Sequence, residues 1–134
     1  MTEALVDTDI LSFYFKGDSN VIGKFKDYLK EFDQINISII TFYEIIGGLN
    51  HKKADRQIQE FEEFISNNNI IHISEDSARI SADVYADLKQ RGITIGTSDI
   101  LIAGIALDNE LTLITNNQKH YDAIHGLKIE NWKK

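Results

Sequence analysis

Short apolar runs alternate with longer amphipathic segments along this chain, and no other feature of the sequence limits the fold so closely. The apolar runs have the length and composition of strands, while the longer segments repeat apolar residues at helical spacing. The predicted strands cover residues 3–6, 35–39, 70–73, 111–114 and 127–129. Strands separated by helices are typical of an α/β domain. We therefore expect a mainly parallel central sheet of four to five strands, flanked by helices.

The amphipathic segments predict six helices, at residues 10–15, 19–32, 41–49, 53–66, 76–91 and 100–107. Gly47 and Gly48 are expected to end the third helix. The segment Thr97-Ser98-Asp99 opens the sixth helix, which is almost entirely apolar and is therefore expected at the centre of the fold.

Length and composition fit one globular domain. The chain has 134 residues, with 43% hydrophobic and 26% charged side chains, so residues 1–134 are expected to form a single domain. Because cysteine is absent, disulfides and thiolate metal sites are excluded. No apolar run is long enough to span a membrane and the N-terminus lacks the pattern of a signal peptide, so a cytoplasmic protein is expected.

Several acids and amides follow a predicted strand or open a predicted helix. They are Asp7, Asp9, Glu44, Asp99, Asn116 and Asn117. Ligands of open parallel sheets bind beyond the carboxyl ends of the strands, so we expect these side chains to meet at one edge. Mg²⁺ and Mn²⁺ prefer such oxygen ligands and retain several waters. Without a cation the carboxylates would repel one another and some of their pKa values would rise.

Each acid also has a structural interpretation. Asp7 and Asp9 could cap the helix that begins at Ile10. Thr41-Phe42-Tyr43-Glu44 fits a capping box, and Asp99 could complement the dipole of its helix. Any one acid is open to either interpretation, and only their coincidence at one edge favours a site.

Four segments resemble the PIN domain family and, within it, the VapC toxins of type II toxin–antitoxin operons. They are LVDTDIL, ISIITFYEIIGGL, GITIGTSDILIAGIAL and LTLITNNQKHYDAIHGLKIENW, in family order over nearly the whole chain. The resemblance implies an endoribonuclease that depends on Mg²⁺ or Mn²⁺ and cleaves RNA phosphodiester bonds with a metal-activated water. It also implies inhibition by a cognate VapB-like antitoxin and assembly into a homodimer.

The same resemblance assigns roles to three acids. The family motif D-T-N/D falls on Asp7, the acid after the second strand on Glu44, and the motif I-G-x-x-D on Asp99. These are the expected catalytic and metal-binding residues, with Asp7 and Asp99 as the most direct ligands. Glu44 is expected to act through a water or as a base.

This chain departs from the family at a fourth position. Many relatives carry an acid just after the strand that ends in Thr, whereas here Thr115 is followed by Asn116 and Asn117, of which Asn117 is the closer match. Because an amide adds no charge, one firmly held cation is expected and a second is in doubt, although Asp9 could compensate. Hydroxyl groups near the ligands are expected to support them. These belong to Thr8, Thr97, Ser98 and Thr115.

The remaining polar residues favour no second type of site. His51, His72, His120 and His125 are expected in surface or structural roles, and only His120 is close to the candidate site in sequence. The net charge of −7 counts against an RNA binder that relies on basic residues alone. A basic lip or ordinary solvated helix faces would explain the cationic residues equally well. These are Lys52, Lys53, Arg56, Lys89 and Arg91.

Two other functions remain open. One is a catalytically weak or inactive PIN-fold module that binds a partner, which the amide at the fourth position permits and the three acids oppose. The other is a nuclease specific for DNA or for nucleic-acid structure. The small size of the chain argues against the latter, since no extra segment is present to handle such a substrate.

Overall fold

Five short strands form one parallel sheet in the computed structural model, which describes residues 1–134. The strands are β1 (Ala4–Val6), β2 (Asn36–Ser38), β3 (Asn69–Ile71), β4 (Thr112–Ile114) and β5 (Ile129–Glu130). Their order across the sheet is β3-β2-β1-β4-β5. All four pairings are parallel, with Val6 opposite Ile114 in the pair at the centre. The predicted α/β fold with a parallel sheet is thus confirmed.

Seven helices connect the strands. They are α1 (Thr8–Phe15), α2 (Ser19–Leu29), α3 (Ile39–Lys52), α4 (Asp55–Ser66), α5 (Glu75–Gln90), α6 (Thr97–Asp108) and α7 (Gln118–Tyr121). None of the helices combines the length and the apolar character needed to cross a bilayer.

The central strand β1 contributes side chains to two hydrophobic cores, one on each face of the sheet. Ala4 and Val6 point into the first core, which also holds Trp132, whereas Leu5 between them points into the second. This alternation is the two-residue period of a strand. The second core contains the apolar side chains of α6, which is buried as the sequence predicted.

Close packing of α5 against α6 depends on a glycine. A Cβ atom on Gly104 would lie 2.7 Å from the carbonyl oxygen of Ser77 and would overlap the Ser81 hydroxyl. The Ser81 hydroxyl donates to the carbonyl oxygen of Ile100, 3.0 Å away, and so joins the two helices. The start of α6, which carries Asp99, is held by this contact.

The third helix is longer than the sequence predicted. Ser38 is its N-cap, because its hydroxyl accepts a hydrogen bond from the Thr41 backbone N–H at 3.0 Å. The helix therefore begins at Ile39, and the predicted capping box from Thr41 to Glu44 is wrong. Glu44 lies in the second turn rather than the first. The glycines at 47 and 48 do not end the helix, which continues to Lys52 and is capped by Lys53 in the left-handed conformation.

Smaller differences affect the ends of other elements. The second helix ends at Leu29 instead of residue 32, and the last strand is shifted to Ile129–Glu130. The single turn α7 was not predicted, because four residues are too few to show a helical period. This turn contributes directly to the candidate site.

Candidate active site

Asp7 lies where the order of the strands reverses, at the carboxyl end of β1. The chain passes from β1 to β2 and β3 on one side of the sheet and to β4 and β5 on the other. Ligand sites of open α/β sheets occur at this position. The Asp7 backbone N–H donates to the Ile114 carbonyl oxygen at 2.9 Å, which extends the pairing with β4 by one bond.

Asp7 is nearly inaccessible to solvent, with 6% of its surface exposed. One carboxylate oxygen accepts the Thr8 backbone N–H at 2.8 Å, so Asp7 is also the N-cap of α1. The other accepts the Thr115 hydroxyl at 2.9 Å. The capping and site interpretations of Asp7 are therefore compatible, and the predicted support from Thr115 is present.

The charge of Asp7 is poorly compensated. Burial and, next, the nearby charge of Asp9 raise the pKa of Asp7 to about 7, although the hydrogen bonds from Thr115 and Thr8 oppose the shift. Asp99 adds a further, smaller repulsion. Burial also raises the pKa of Asp9, with a contribution from Asp99. The ion pairs formed by lysine and arginine all lie elsewhere. Neither lysine nor arginine therefore supplies a counter-charge to this cluster of carboxylates.

Glu44 joins this region through Thr8. The Thr8 hydroxyl donates to Glu44 Oε1 at 2.7 Å and lies 2.9 Å from the hydroxyl of Thr41. Because Thr8 follows Asp7 directly, this bond connects the second turn of α3 to the end of β1. Glu44 is half-buried and is oriented by a side chain rather than by the start of its own helix.

Both carboxylate oxygens of Asp99 have partners on α7. The Tyr121 hydroxyl donates to Oδ1 at 2.9 Å, and His120 Nε2 lies 2.8 Å from Oδ2. Tyr121 is buried, and burial together with the charges of Asp7 and Asp99 raises its pKa, so that its phenol remains a proton donor. Asp99 itself lies in the first turn of α6.

The loop after β4 also contacts the acids. The Asn116 backbone N–H donates to Asp9 Oδ2 at 3.1 Å. Its side-chain oxygen accepts from Asn131 Nδ2 at 3.0 Å, so the C-terminal segment supports this loop. Asn117 donates its backbone N–H to the Thr115 hydroxyl, and its amide side chain is exposed. The chain therefore brings Asn116, rather than Asn117, into contact with an acid.

Some predicted residues are not drawn into these contacts. The hydroxyls of Thr97 and Ser98 form no hydrogen bond with the acids, although both residues precede Asp99 on the first turn of α6. No group of three carboxylate or imidazole side chains stands close enough to hold a metal ion by protein ligands alone. The donors that are present are hard oxygens around an uncompensated negative charge. Such a set fits a divalent cation that keeps most of its waters.

Sequence reasoning missed Tyr121, Asn131 and the role of Thr41. Their contacts connect parts of the chain that are distant in sequence, and local patterns carry no signal for them. The single available signal was the position of Tyr121 next to His120, soon after the strand that ends in Thr115. Two of the cationic residues that a basic lip or solvated helix faces would explain are paired with acids, Arg56 with Glu60 and Arg91 with Asp87.

Comparison with known proteins identifies the family. The model of the PIN domain matches residues 4–125, which include every acid of the site. The chain is 34% identical over 130 residues to Ribonuclease VapC1 of Methanocaldococcus jannaschii, covering 96% of this chain and 87% of the relative. It is 28% identical over 138 residues to the tRNA(fMet)-specific endonuclease VapC of Salmonella typhimurium, covering 98% and 99% of the two chains.

A solved structure shows the same fold. A chain of the DNA-bound VapBC complex from Salmonella typhimurium superposes with a TM-score of 0.89 at 28% identity, covering 98% of this chain and 99% of that one. The parallel five-stranded sheet, the acids at its carboxyl edge and these matches lead to one assignment. The chain belongs to the PIN domain family and, within it, to the VapC group.

Proposed function

We propose that this chain is the toxic component of a type II toxin–antitoxin system and acts as a divalent-metal-dependent endoribonuclease. The observation that carries the proposal is the buried Asp7, whose pKa is raised to about 7 next to Asp9 and Asp99 with no lysine or arginine paired to any of the three. A protein has little reason to keep such a cluster for stability, since a buried unpaired charge is costly. Relatives named ribonuclease or endonuclease supply the reaction class.

Asp7 and Asp99 are the residues that we assign to direct contact with Mg²⁺ or Mn²⁺. Glu44 would reach the cation through a water, because one of its carboxylate oxygens already accepts the Thr8 hydroxyl. This division agrees with a site in which few protein oxygens contact the ion and waters complete the coordination. Asp9 shares the negative field and is held by Asn116.

When bound, the cation supplies an activated water and neutralises charge on the phosphate. The surrounding side chains keep the ligands in place: Thr115 holds one oxygen of Asp7, and Tyr121 holds one oxygen of Asp99. Glu44 is half-buried and free on its second oxygen, so it is placed to orient a water or accept its proton.

One firmly bound cation follows from the amides after β4. Asn116 contacts Asp9 through its backbone and Asn131 through its side chain, so it offers no carboxylate to a second ion. The exposed Asn117 adds no charge either. A second ion would depend on Asp9, whose negative charge already attracts the first ion.

A VapB-like antitoxin is the proposed inhibitor. A groove of about 230 Å³ lies between α1, α3 and α4. Phe15, Ile45 and Leu49 form apolar parts of its lining, with Lys16 and Lys52 beside them. A segment with apolar and acidic side chains would complement this groove. The structural relative from Salmonella typhimurium is a VapBC complex, which supports such a partner.

A homodimer is proposed for the chain in the absence of antitoxin. Tyr43 and Tyr85 are 72% and 53% exposed, so both large aromatic residues are available to a second copy of the chain. Sedimentation of the purified chain would show twice the mass of 15.3 kDa if a dimer forms.

Cleavage of RNA by the purified chain tests the proposed function. We expect cleavage with Mg²⁺ or Mn²⁺ and none in EDTA, and we expect Asp7→Asn or Asp99→Asn to abolish it while circular dichroism remains unchanged. Asp83→Asn is the matched control, because Asp83 is an exposed acid on α5. Cleavage that persists in EDTA, or in both site variants, would refute the mechanism.

Growth of cells tests the toxin assignment separately. Expression of the chain alone should stop growth, expression of Asp99→Asn should not, and a small antitoxin encoded next to it should restore growth. Normal growth with active, folded protein present would contradict the role as a toxin but would leave the proposed cleavage of RNA intact.

A further inference from the structure

A histidine and an aspartate face each other at the open side of the site. His120 Nε2 lies 2.8 Å from Asp99 Oδ2, and the side chains are 30% and 32% exposed. The second oxygen of Asp99 is occupied by the buried Tyr121 hydroxyl. Thus the partner of Oδ1 is protected from solvent, whereas the contact to Oδ2 can be reached from solvent by an ion.

The position of His120 is determined by α7. Its backbone N–H donates to the Asn117 carbonyl oxygen at 3.1 Å, and the next residue, Tyr121, is anchored in the second core. The helical turn that carries the imidazole is therefore held by Tyr121, whose side chain is buried and donates a hydrogen bond to Asp99. The backbone that carries the imidazole is thus held next to Asp99.

The distance between the two groups matches that of neighbouring ligands on one ion. Two adjacent ligands at about 2.1 Å from an octahedral cation lie about 3 Å apart. A cation that replaced the hydrogen bond would meet Oδ2 directly, and it would meet Nε2 once the imidazole turned its nitrogen lone pair from Oδ2 toward the ion. Asn116 and Asn117 offer no charged oxygen on this side of the site.

An imidazole ligand changes which of two oxygen-preferring cations is favoured. Mg²⁺ is held almost entirely by oxygen ligands, whereas Mn²⁺ is a transition-metal ion that also accepts an imidazole nitrogen beside its carboxylates and waters. We propose that His120 is a ligand of the cation held by Asp99, and that this contact makes the site select Mn²⁺ over Mg²⁺. The inference rests on the proposed function, since it concerns the same cation.

Metal binding, rather than cleavage, tests this inference. Metal-free protein is titrated with Mn²⁺ while the free ion is followed by electron paramagnetic resonance, and Mg²⁺ is then added as a competitor. The variants are His120→Ala and His120→Gln, and the control is His125→Ala, a histidine that is 79% exposed and remote from Asp99. Gln can still donate a hydrogen bond to Asp99, so it separates ligation from positioning.

We expect the unmodified chain to bind Mn²⁺ at least tenfold more tightly than Mg²⁺. Both His120 variants should lose about tenfold in Mn²⁺ affinity and less than threefold in Mg²⁺ affinity, while the His125 variant matches the unmodified chain. Electron spin echo spectra of bound Mn²⁺ should show modulation from a directly bound imidazole nitrogen, and this signal should vanish in His120→Gln.

Two results would overturn the inference: bound Mn²⁺ without nitrogen modulation, or an equal fall in the affinity of both ions, which would make His120 a positioning residue only. Either result leaves the proposed ribonuclease intact if RNA is still cleaved. Nitrogen-coupled Mn²⁺ in a chain that cleaves no RNA would have the opposite meaning, because the ligand assignment would stand and the proposed function would fail.

Discussion

At the scale of single residues, Asp7 affects the free energy of unfolding in two opposite ways. It caps α1 and accepts the Thr115 hydroxyl, but its burial beside Asp9 raises its pKa to about 7 from the ordinary 3.8. The native state therefore holds a proton on Asp7 over a pH range in which the unfolded chain has lost it. Stability linked to this group must fall as the pH rises from about 4 to about 7.

Replacing Asp7 by Asn should therefore stabilise the metal-free chain at neutral pH. The raised pKa of Asp7 lowers the free energy of unfolding at neutral pH by at most about 4 kcal/mol. We expect Asp7→Asn to raise the free energy of unfolding by about 1 to 3 kcal/mol at pH 8, because the amide keeps the shape of the carboxylate but cannot repeat both of its hydrogen bonds. The gain should be smallest near pH 4. Urea unfolding in EDTA across this range measures it, with Asp83→Asn as the control, and stability curves for Asp7→Asn and the unmodified chain that run parallel would contradict the assignment.

At the scale of elements, the start of α3 separates a structural residue from a candidate functional one. Ser38 is fully buried, accepts the Thr41 backbone N–H and donates to the Thr41 hydroxyl. Glu44 does not cap this helix, and its contact is with Thr8 on α1. The two residues therefore should respond differently to conservative substitution.

We expect Ser38→Ala to lower the free energy of unfolding by about 1 to 2 kcal/mol, the usual cost of losing an N-cap. Glu44→Gln keeps an acceptor for Thr8 and should change stability by less than about 0.5 kcal/mol, while RNA cleavage falls by about a hundredfold or more. Thermal unfolding and cleavage rates of the two variants give the comparison. If Glu44→Gln destabilised the chain as much as Ser38→Ala does, Glu44 would be a structural residue.

The contact between α5 and α6 is the second feature at this scale. Gly104→Ala places a methyl group against the Ser77 carbonyl, and backbone cannot move aside cheaply. We expect a loss of about 3 kcal/mol or more. Gly47→Ala is the matched control in an exposed helical position with open space around it, and it should stabilise the chain by up to about 1 kcal/mol. Chemical denaturation of both variants measures the free energies of unfolding. An unchanged free energy of unfolding in Gly104→Ala would contradict the close packing of α5 against α6.

At the scale of the whole molecule, acidic side chains outnumber basic ones, and this excess bears directly on cation binding. A net charge of −7 adds to the local repulsion at the carboxyl edge of the sheet, where no lysine or arginine pairs with the acids. A divalent cation at this edge would offset both. Binding to the native state alone raises stability in proportion to the logarithm of ligand concentration.

Mn²⁺ or Mg²⁺ should therefore stabilise the folded chain beyond the effect of ionic strength. At a concentration one hundred times the dissociation constant we expect about 2.7 kcal/mol. Differential scanning calorimetry with the divalent salt, against NaCl at equal ionic strength, measures the effect. Asp99→Asn should abolish most of the difference, and an equal shift in that variant would indicate binding elsewhere.

Much of the fold and part of the site could be predicted because their signals are local. Apolar runs such as Leu111–Ile114 and the apolar stretch of α6 are recognisable within a few residues, and alternating strands and helices favour a parallel sheet. Once the sheet is parallel, an acid that follows a strand and an acid that opens the helix leading into a strand lie at the same edge. Asp7 and Asp99, together with the hydroxyl of Thr115, can therefore be assigned to one edge without any tertiary contact.

The sequence by itself thus determined the α/β architecture and the edge at which the acids meet. Only the tertiary structure decided which groups hold those acids: His120 and Tyr121 against Asp99, Thr8 against Glu44, and the backbone of Asn116 against Asp9, 107 residues away in sequence. The physical reason is that periodicity and turn chemistry are properties of neighbours in the chain. Contacts across the sheet depend on how the helices dock, and a shift of one turn in α3 or α7 would have exchanged one set of partners for another.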